Sequence, residues 1–204
     1  MGRYRDLILP HLVDRVCAMS AIAPWRARVV EGVHGRVVEI GFGSGLNVGH
    51  YPAAVQLVLA VEPAAGARRL AARRLATGTA HVDVVGADAE HLPIIAGTFD
   101  AALSTFTLCT VRDPVAVLRE VRRVLRPGGT LHFLEHGIAR EPRVAAWQRR
   151  LDPLQRRFAG GCHLTRDVIA LVTSAGLHLE RCEQAYADGP RPWSFFTVGV
   201  ASSP

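Results

Sequence analysis

The stretch Glu39-Ile40-Gly41-Phe42-Gly43-Ser44-Gly45 decides how the rest of the chain is read. It continues Arg36-Val37-Val38, an apolar run of the kind that buried parallel strands use. Glycines at 41, 43 and 45 let the chain turn sharply and let a ligand lie against bare backbone. Taken alone, such a loop is also compatible with a purely structural turn. A pyrophosphate dinucleotide requires the spacing GxGxxG, with the third glycine opening a helix whose N-terminus holds the phosphates. Here that position is Leu46. The spacing therefore favours S-adenosylmethionine (SAM), which has no pyrophosphate, over NAD.

Working outward, strand-length apolar runs alternate with helical patterns. Strands are expected at 36–41, 56–62, 81–87, 99–106 and 130–135, with helices at 4–20, 24–33 and 64–76. A further helix should start at Asp113-Pro114, an N-cap followed by a first-turn proline, and run through Leu125. Arg126-Pro127-Gly128-Gly129 reads as a stop and turn. Beyond residue 142 the pattern gives helices at 143–158 and 165–175, broken at Gly160-Gly161, and strands at 177–186 and 193–200. Alternation of this kind predicts an α/β fold, a mainly parallel sheet with helices on both faces. The 204 residues suit one domain, with 1–33 as a helical leader and 142–204 closing the sheet and shaping an acceptor pocket.

Glu62 strengthens the reading of the glycine loop. It ends the second strand, about 20 residues beyond the loop, where a carboxylate can accept both hydroxyls of a ribose. Asp88 follows the third strand by the same geometry and can accept from an adenine amino group. Three strand ends thus present suitable groups at the carboxyl edge of one sheet, where open α/β sheets bind ligands.

These segments together resemble the class I SAM-dependent methyltransferases over about residues 36–136. Val37-Val38-Glu39-Ile40-Gly41-Phe42-Gly43-Ser44-Gly45 is similar to that family's first motif, and Ala60-Val61-Glu62-Pro63 to its second. The run from Gly86 to Asp100 resembles the adenine-side segment, and Leu118 to His136 the family's helix, RPGG turn and fifth strand. The resemblance implies a Rossmann-like fold with a seven-stranded sheet, SAM as cofactor and S-adenosylhomocysteine as product. It places Gly41, Gly43, Gly45, Glu62, Asp88 and Thr105 around the cofactor, with Asn47, Pro63 and Ala89 alongside and Glu39 near the methionine amino group. A closer likeness, in Ser104 to Pro114, Phe133 to Gly137, Leu151-Asp152-Pro153 and Gly161 to Asp167, is to small methyltransferase-like proteins that include thiol S-methyltransferases. This chain begins without the long apolar anchor of that subfamily.

The function expected is methyl transfer to a small acceptor, with a thiol as one candidate. Quinone, phenol or phospholipid acceptors, and SAM binding without turnover, stand as alternatives, because fold does not fix the acceptor. No NPPY-like segment follows the fourth strand, which argues against amide or nucleobase nitrogen. Thr107, Cys109, Glu135, His136, His163 and Arg166 are candidates to face the acceptor, with His136 or His163 as proton-transfer groups. Relatives of the broader family carry histidine where Cys109 stands. Trp147, Trp193, Phe195 and Phe196 offer an apolar lid or ordinary core.

Charge and cysteine content restrict the classes further. The chain carries a net charge of +6, and all 24 of its basic residues are arginine. Many fall in helical register, as at Arg68, Arg69, Arg73 and Arg74, which fits a solvated face better than a nucleic-acid surface. Cys17, Cys109, Cys162 and Cys182 form no CxxC pair, so no zinc knuckle or thioredoxin-like motif is expected and no metal is called for. Reduced thiols and a charged amino terminus without a membrane-length apolar run fit a soluble, cytoplasmic protein, with peripheral membrane contact left open.

Overall fold

Seven strands form one sheet in the order β3-β2-β1-β4-β5-β7-β6 in the computed structural model, which describes residues 4–204. The strands are β1 (Gly35–Ile40), β2 (Val55–Val61), β3 (Val82–Val85), β4 (Phe99–Thr105), β5 (Leu125–His136), β6 (His178–Tyr186) and β7 (Phe195–Ser202). The first five run parallel, and β7 lies antiparallel between β5 and β6. The helices are α1 (Leu9–Cys17), α2 (Ala23–Val29), α3 (Ala65–Thr77), α4 (Pro114–Val124), α5 (Pro142–Phe158), α6 (Val168–Ser174) and the short α7 (Arg191–Ser194). Residues 1–3 of the expected helical leader lie outside the described residues.

Strand β1 is buried on both faces, which is why it reads as a continuous apolar run. Val38 and Ile40 pack with Val117, Leu118 and Val121 of α4 and Val168 and Val172 of α6. Val37 faces the other way, into a core shared with Trp25 and Val29 of α2 and Ala71 of α3. At ~2 kcal/mol for each fully buried aliphatic side chain, these two cores fix the strand register. Asp113 caps α4 as expected, its carboxylate accepting from the N–H groups of Val115 and Ala116 at 3.0 Å. The chain moves outward from β1 through β2 to β3 and then crosses back, so that β4 lies on the other side of β1. That reversal opens a crevice at the carboxyl ends of β1 and β4.

Some boundaries differ from the expected ones for physical reasons. The leader is not one helix over 4–20. A π-helical turn at Tyr4–Ile8 precedes α1, and α2 stops at Val29. The Arg126–Gly129 turn lies inside β5: Leu125 pairs with Phe99 and Thr130 with Ala101, so the intervening residues bulge out of the ladder. Helix α6 starts three residues later than expected, because Asp167 caps it by accepting from the Ala170 N–H at 3.1 Å.

Candidate active site

A cleft of about 300 Å³ opens at the carboxyl ends of β1, β2 and β4. Of the residues singled out from sequence, Gly41, Gly43, Glu62, Pro63, Asp88, Ala89, Thr105 and Thr107 line it. The glycines have different jobs. A Cβ at Gly41 would collide with the side chain of Thr107, so that glycine lets β1 and the segment after β4 close up. Gly43 has φ +59°, and a Cβ there would meet nothing nearer than the Gly41 carbonyl at 3.8 Å. Its bare backbone faces the open cleft. Gly45 packs instead against Phe42 and Val48, and it does not line the cleft.

Glu62 ties the strand ends together. One carboxylate oxygen accepts from the Gly43 N–H at 2.8 Å and the other from the Ala64 N–H at 2.8 Å. Burial raises its pKa. Each oxygen keeps a lone pair directed elsewhere. Asp88 is exposed at the rim, with one oxygen accepting from the Glu90 N–H at 2.9 Å.

Beneath the cleft lies a buried polar network that begins at Arg26 of α2. Its Nη1 donates to Asn47 Oδ1 at 2.7 Å and to Thr105 Oγ1 at 3.4 Å. Asn47 Nδ2 in turn donates to Glu39 Oε1 at 2.9 Å and to Thr105 Oγ1 at 3.0 Å, while the Tyr51 hydroxyl donates to the other oxygen of Glu39. Burial pushes the Glu39 carboxyl up to about 7. Glu39 and Asn47 are not among the residues that line the cleft; Arg26 is. Arg26 is only 5 % exposed, yet its Nε has no hydrogen-bond partner. A buried guanidinium that lines a cleft and has no carboxylate within hydrogen-bond distance is suited to an acidic ligand group.

The segment after β4 is held from behind by Glu135, which is fully buried at the end of β5. Its carboxylate accepts from the N–H groups of Thr107 and Leu108 at 2.9 Å and of Cys109 at 3.2 Å, and from the Ser104 hydroxyl at 2.8 Å. This clamp supports Phe106 at φ 53°, a left-handed conformation rare for an aromatic residue. Phe106 thereby turns into the cleft wall. Glu135, expected from sequence to face an acceptor, thus supports the cleft wall from behind and is not among the residues that line the cleft.

The roof is α1. Leu9, Pro10, Val13, Asp14 and Cys17 close the cleft from above, with Ala159 and Gly160 beside them. The four aromatic residues do not form a lid. Phe195 and Phe196 are buried in the sheet, and Trp147 and Trp193 are exposed elsewhere. His163, Arg166, Cys109 and His136 also lie outside the cleft lining. His163 sits 3.6 Å from the Asp152 carboxylate in a separate surface groove with Arg156 and Arg166. The Arg166 guanidinium is taken by the carbonyls of Leu108 and Val111. Cys109 is buried against Cys162, with 3.6 Å between the sulfurs. The imidazole of His136 lies behind Phe106 and stacks on Phe196, with ring centroids 5.4 Å apart.

A methyltransferase-domain family model matches residues 38–133, the span from β1 through most of β5. Thiol S-methyltransferase TMT1B of Rattus norvegicus is 34% identical over 170 residues, which cover 80% of this chain and 66% of that protein. The chain belongs to the class I SAM-dependent methyltransferases. Demethylmenaquinone methyltransferase of Renibacterium salmoninarum is 32% identical over 61% of this chain and 52% of its own length. In fold, N-methyltransferase NodS from Bradyrhizobium japonicum, solved with S-adenosylhomocysteine, superposes with a TM-score of 0.70 at 16% identity, over 93% of this chain and 91% of that one. The chain spans between about half and two thirds of the length of the curated relatives it matches. Among the described residues, no helix of this chain is long and apolar enough to cross a membrane.

Sequence reasoning missed three parts of this site. Arg26 is one of 24 arginines, and nothing in its helix distinguishes it. Cys17 and the rest of the α1 roof come from a segment distant in sequence from every motif. The clamp by Glu135 is visible only once β4 and β5 lie side by side.

Proposed function

We propose that this chain transfers the methyl group of SAM to the sulfur of a small, apolar thiol. The observation that carries the reading is the makeup of the acceptor side of the cleft. Leu9, Val13, Cys17, Phe106 and Val111 line it, and among the described residues no histidine does. An oxygen or carbon acceptor generally needs a positioned base, whereas a thiol of pKa ~8.5 is already partly ionised near neutral pH. Of the carboxylates in the lining, Asp14 is paired with Arg74 at 2.8 Å, and Glu62 and Asp88 lie at the strand ends on the cofactor side. Relatives named thiol S-methyltransferases support the same acceptor class.

The residues fit SAM. Gly43 offers bare backbone, Gly41 lets Thr107 close against the loop, and the free lone pairs of Glu62 suit ribose hydroxyls. Asp88 and Ala89, with Pro63, suit the adenine side. The buried charge of Arg26 suits the methionine carboxylate, and Asn47, Glu39 and Gly45 act behind the cleft to position Arg26 and the loop. When bound, SAM supplies an electrophilic methyl group on a sulfonium. The chain's own contribution is alignment and exclusion of water. Thr105, Phe106 and Thr107 form a wall fixed by Glu135, and α1 covers the opening, so the acceptor is oriented in a dry site without a catalytic base. We take all 204 residues as one methyltransferase domain working in the cytoplasm, a setting in keeping with four unpaired cysteines.

Incubation with methyl-labelled SAM and a panel of alkyl and aryl thiols, quinols, phenols, phospholipids and amines tests this reading. Label should appear in thioethers. Label in a quinol or phenol would overturn the acceptor assignment, and SAM binding without any transfer would overturn the enzymatic one.

A further inference from the structure

We propose that Cys109, His136 and Cys162 form a binding site for a single zinc ion, separate from the cofactor cleft. The three residues come from three different elements: the segment after β4, the end of β5 and the turn after α5. Spacing in the sequence therefore gave no sign of them. Their ligand atoms all lie within 4.8 Å of one another. The two sulfurs are 3.6 Å apart, and Cys162 Sγ is 3.5 Å from His136 Nδ1. For Zn–S of about 2.3 Å and Zn–N of about 2.0 Å at tetrahedral angles, the corresponding edges are about 3.8 Å and about 3.5 Å. Two of the three edges thus already stand at the separations that one tetrahedral ion imposes, and the third, from Cys109 Sγ to the imidazole, lies within 4.8 Å.

The surroundings hold this arrangement in place. The Cys109 N–H is fixed by Glu135, and the Cys109 carbonyl accepts from the His163 N–H at 2.8 Å, which locks the first thiol to the segment that bears the second. The imidazole is held between Phe106 and Phe196. Cys109 and Cys162 are buried and His136 half-buried, so an ion would be reached from the imidazole side. Two thiolates and an imidazole select a soft or borderline cation, zinc above magnesium or calcium. Three protein ligands leave one tetrahedral position for water or another small ligand. A bound ion would staple the turn at 159–163, which borders the cleft, to the ends of β4 and β5.

The test uses the full chain, reduced beforehand and freed of metal, titrated with Co²⁺ as a spectroscopic stand-in and with Zn²⁺ in competition. One equivalent of Co²⁺ should give tetrahedral d–d bands and a thiolate-to-cobalt charge-transfer band that Zn²⁺ abolishes. Cys162→Ala and His136→Asn should each lower the affinity at least 100-fold while the far-ultraviolet dichroism is unchanged, and Cys182→Ser should bind as the parent does. Absence of a charge-transfer band in the parent chain, or undiminished binding by both Cys162→Ala and His136→Asn, would overturn the site.

Discussion

The backbone N–H of Gly43 donates to the Glu62 carboxylate at 2.8 Å, so the glycine loop after β1 and the acid after β2 act as one unit. Replacing Glu62 with Ala leaves the N–H groups of Gly43 and Ala64 without their acceptor, at a cost of ~1–3 kcal/mol in stability. Affinity for SAM should fall at least ~10-fold, since the ribose loses its acceptor. Glu62→Gln should lose less of both, because one carbonyl oxygen remains. Thermal unfolding and calorimetric titration on the two variants check the ranking.

Arg26 should contribute through the methionine end of the cofactor alone. Arg26→Met keeps the length of the side chain and removes its charge and its unpaired Nε. S-adenosylhomocysteine affinity is expected to drop by ~10-fold or more, in line with a charged hydrogen bond. Adenosine, which lacks the carboxylate, should bind both proteins equally. Equal losses for the two ligands would place Arg26 elsewhere in the recognition.

Glu135→Gln tests the clamp behind Phe106. An amide offers one oxygen where the carboxylate accepts from three backbone N–H groups and the Ser104 hydroxyl. The expected loss is ~2–4 kcal/mol in urea unfolding. A loss below ~1 kcal/mol would mean that the segment after β4 is held by other contacts.

The part of the site carried by short-range pattern was legible in the sequence, and the part made by convergence was not. Gly41, Gly43, Glu62 and Asp88 each end or follow a strand, so knowing the strand order was enough to bring them to one edge. Asp113 announced its helix because a cap acts within three residues. Arg26, Cys17 and Glu135 gave no local signal, since their roles depend on partners 79, 9 and up to 31 residues away. His163 and Cys109 were acceptor-facing candidates by type, but the Cys109 thiol is buried against Cys162 and His163 lies beside Asp152 in a separate groove, contacts set by segments far apart in sequence.

Stability should vary with pH through two buried groups with opposite signs. His132 is 3% exposed and neutral, with Nδ1 on the Val29 carbonyl at 3.0 Å and Nε2 near the Thr130 hydroxyl at 3.2 Å. Burial lowers its pKa from 6.5 to about 4. Its contribution is complete above pH 6.5 and is lost as pH falls through 4, by ~3 kcal/mol in all. For Glu39, raised by burial from 4.5 to about 7, the contribution is complete below pH 4.5 and is lost as pH rises through 7. His132→Gln should flatten the acid limb of melting temperature against pH, and Glu39→Gln the limb up to neutrality. Unaltered slopes in both variants would contradict the assignment.

Calorimetric titration of the intact protein with S-adenosylhomocysteine, run beside Gly43→Val, bears most directly on the claim that this cleft is the cofactor site. A Cβ at position 43 meets no protein atom closer than 3.8 Å, so the variant should fold, at a strain cost of ~1–3 kcal/mol for a β-branched residue at positive φ. The parent should bind one equivalent of ligand and the variant should lose at least ~10-fold in affinity. No heat from the parent, or identical isotherms for the two proteins, would contradict it.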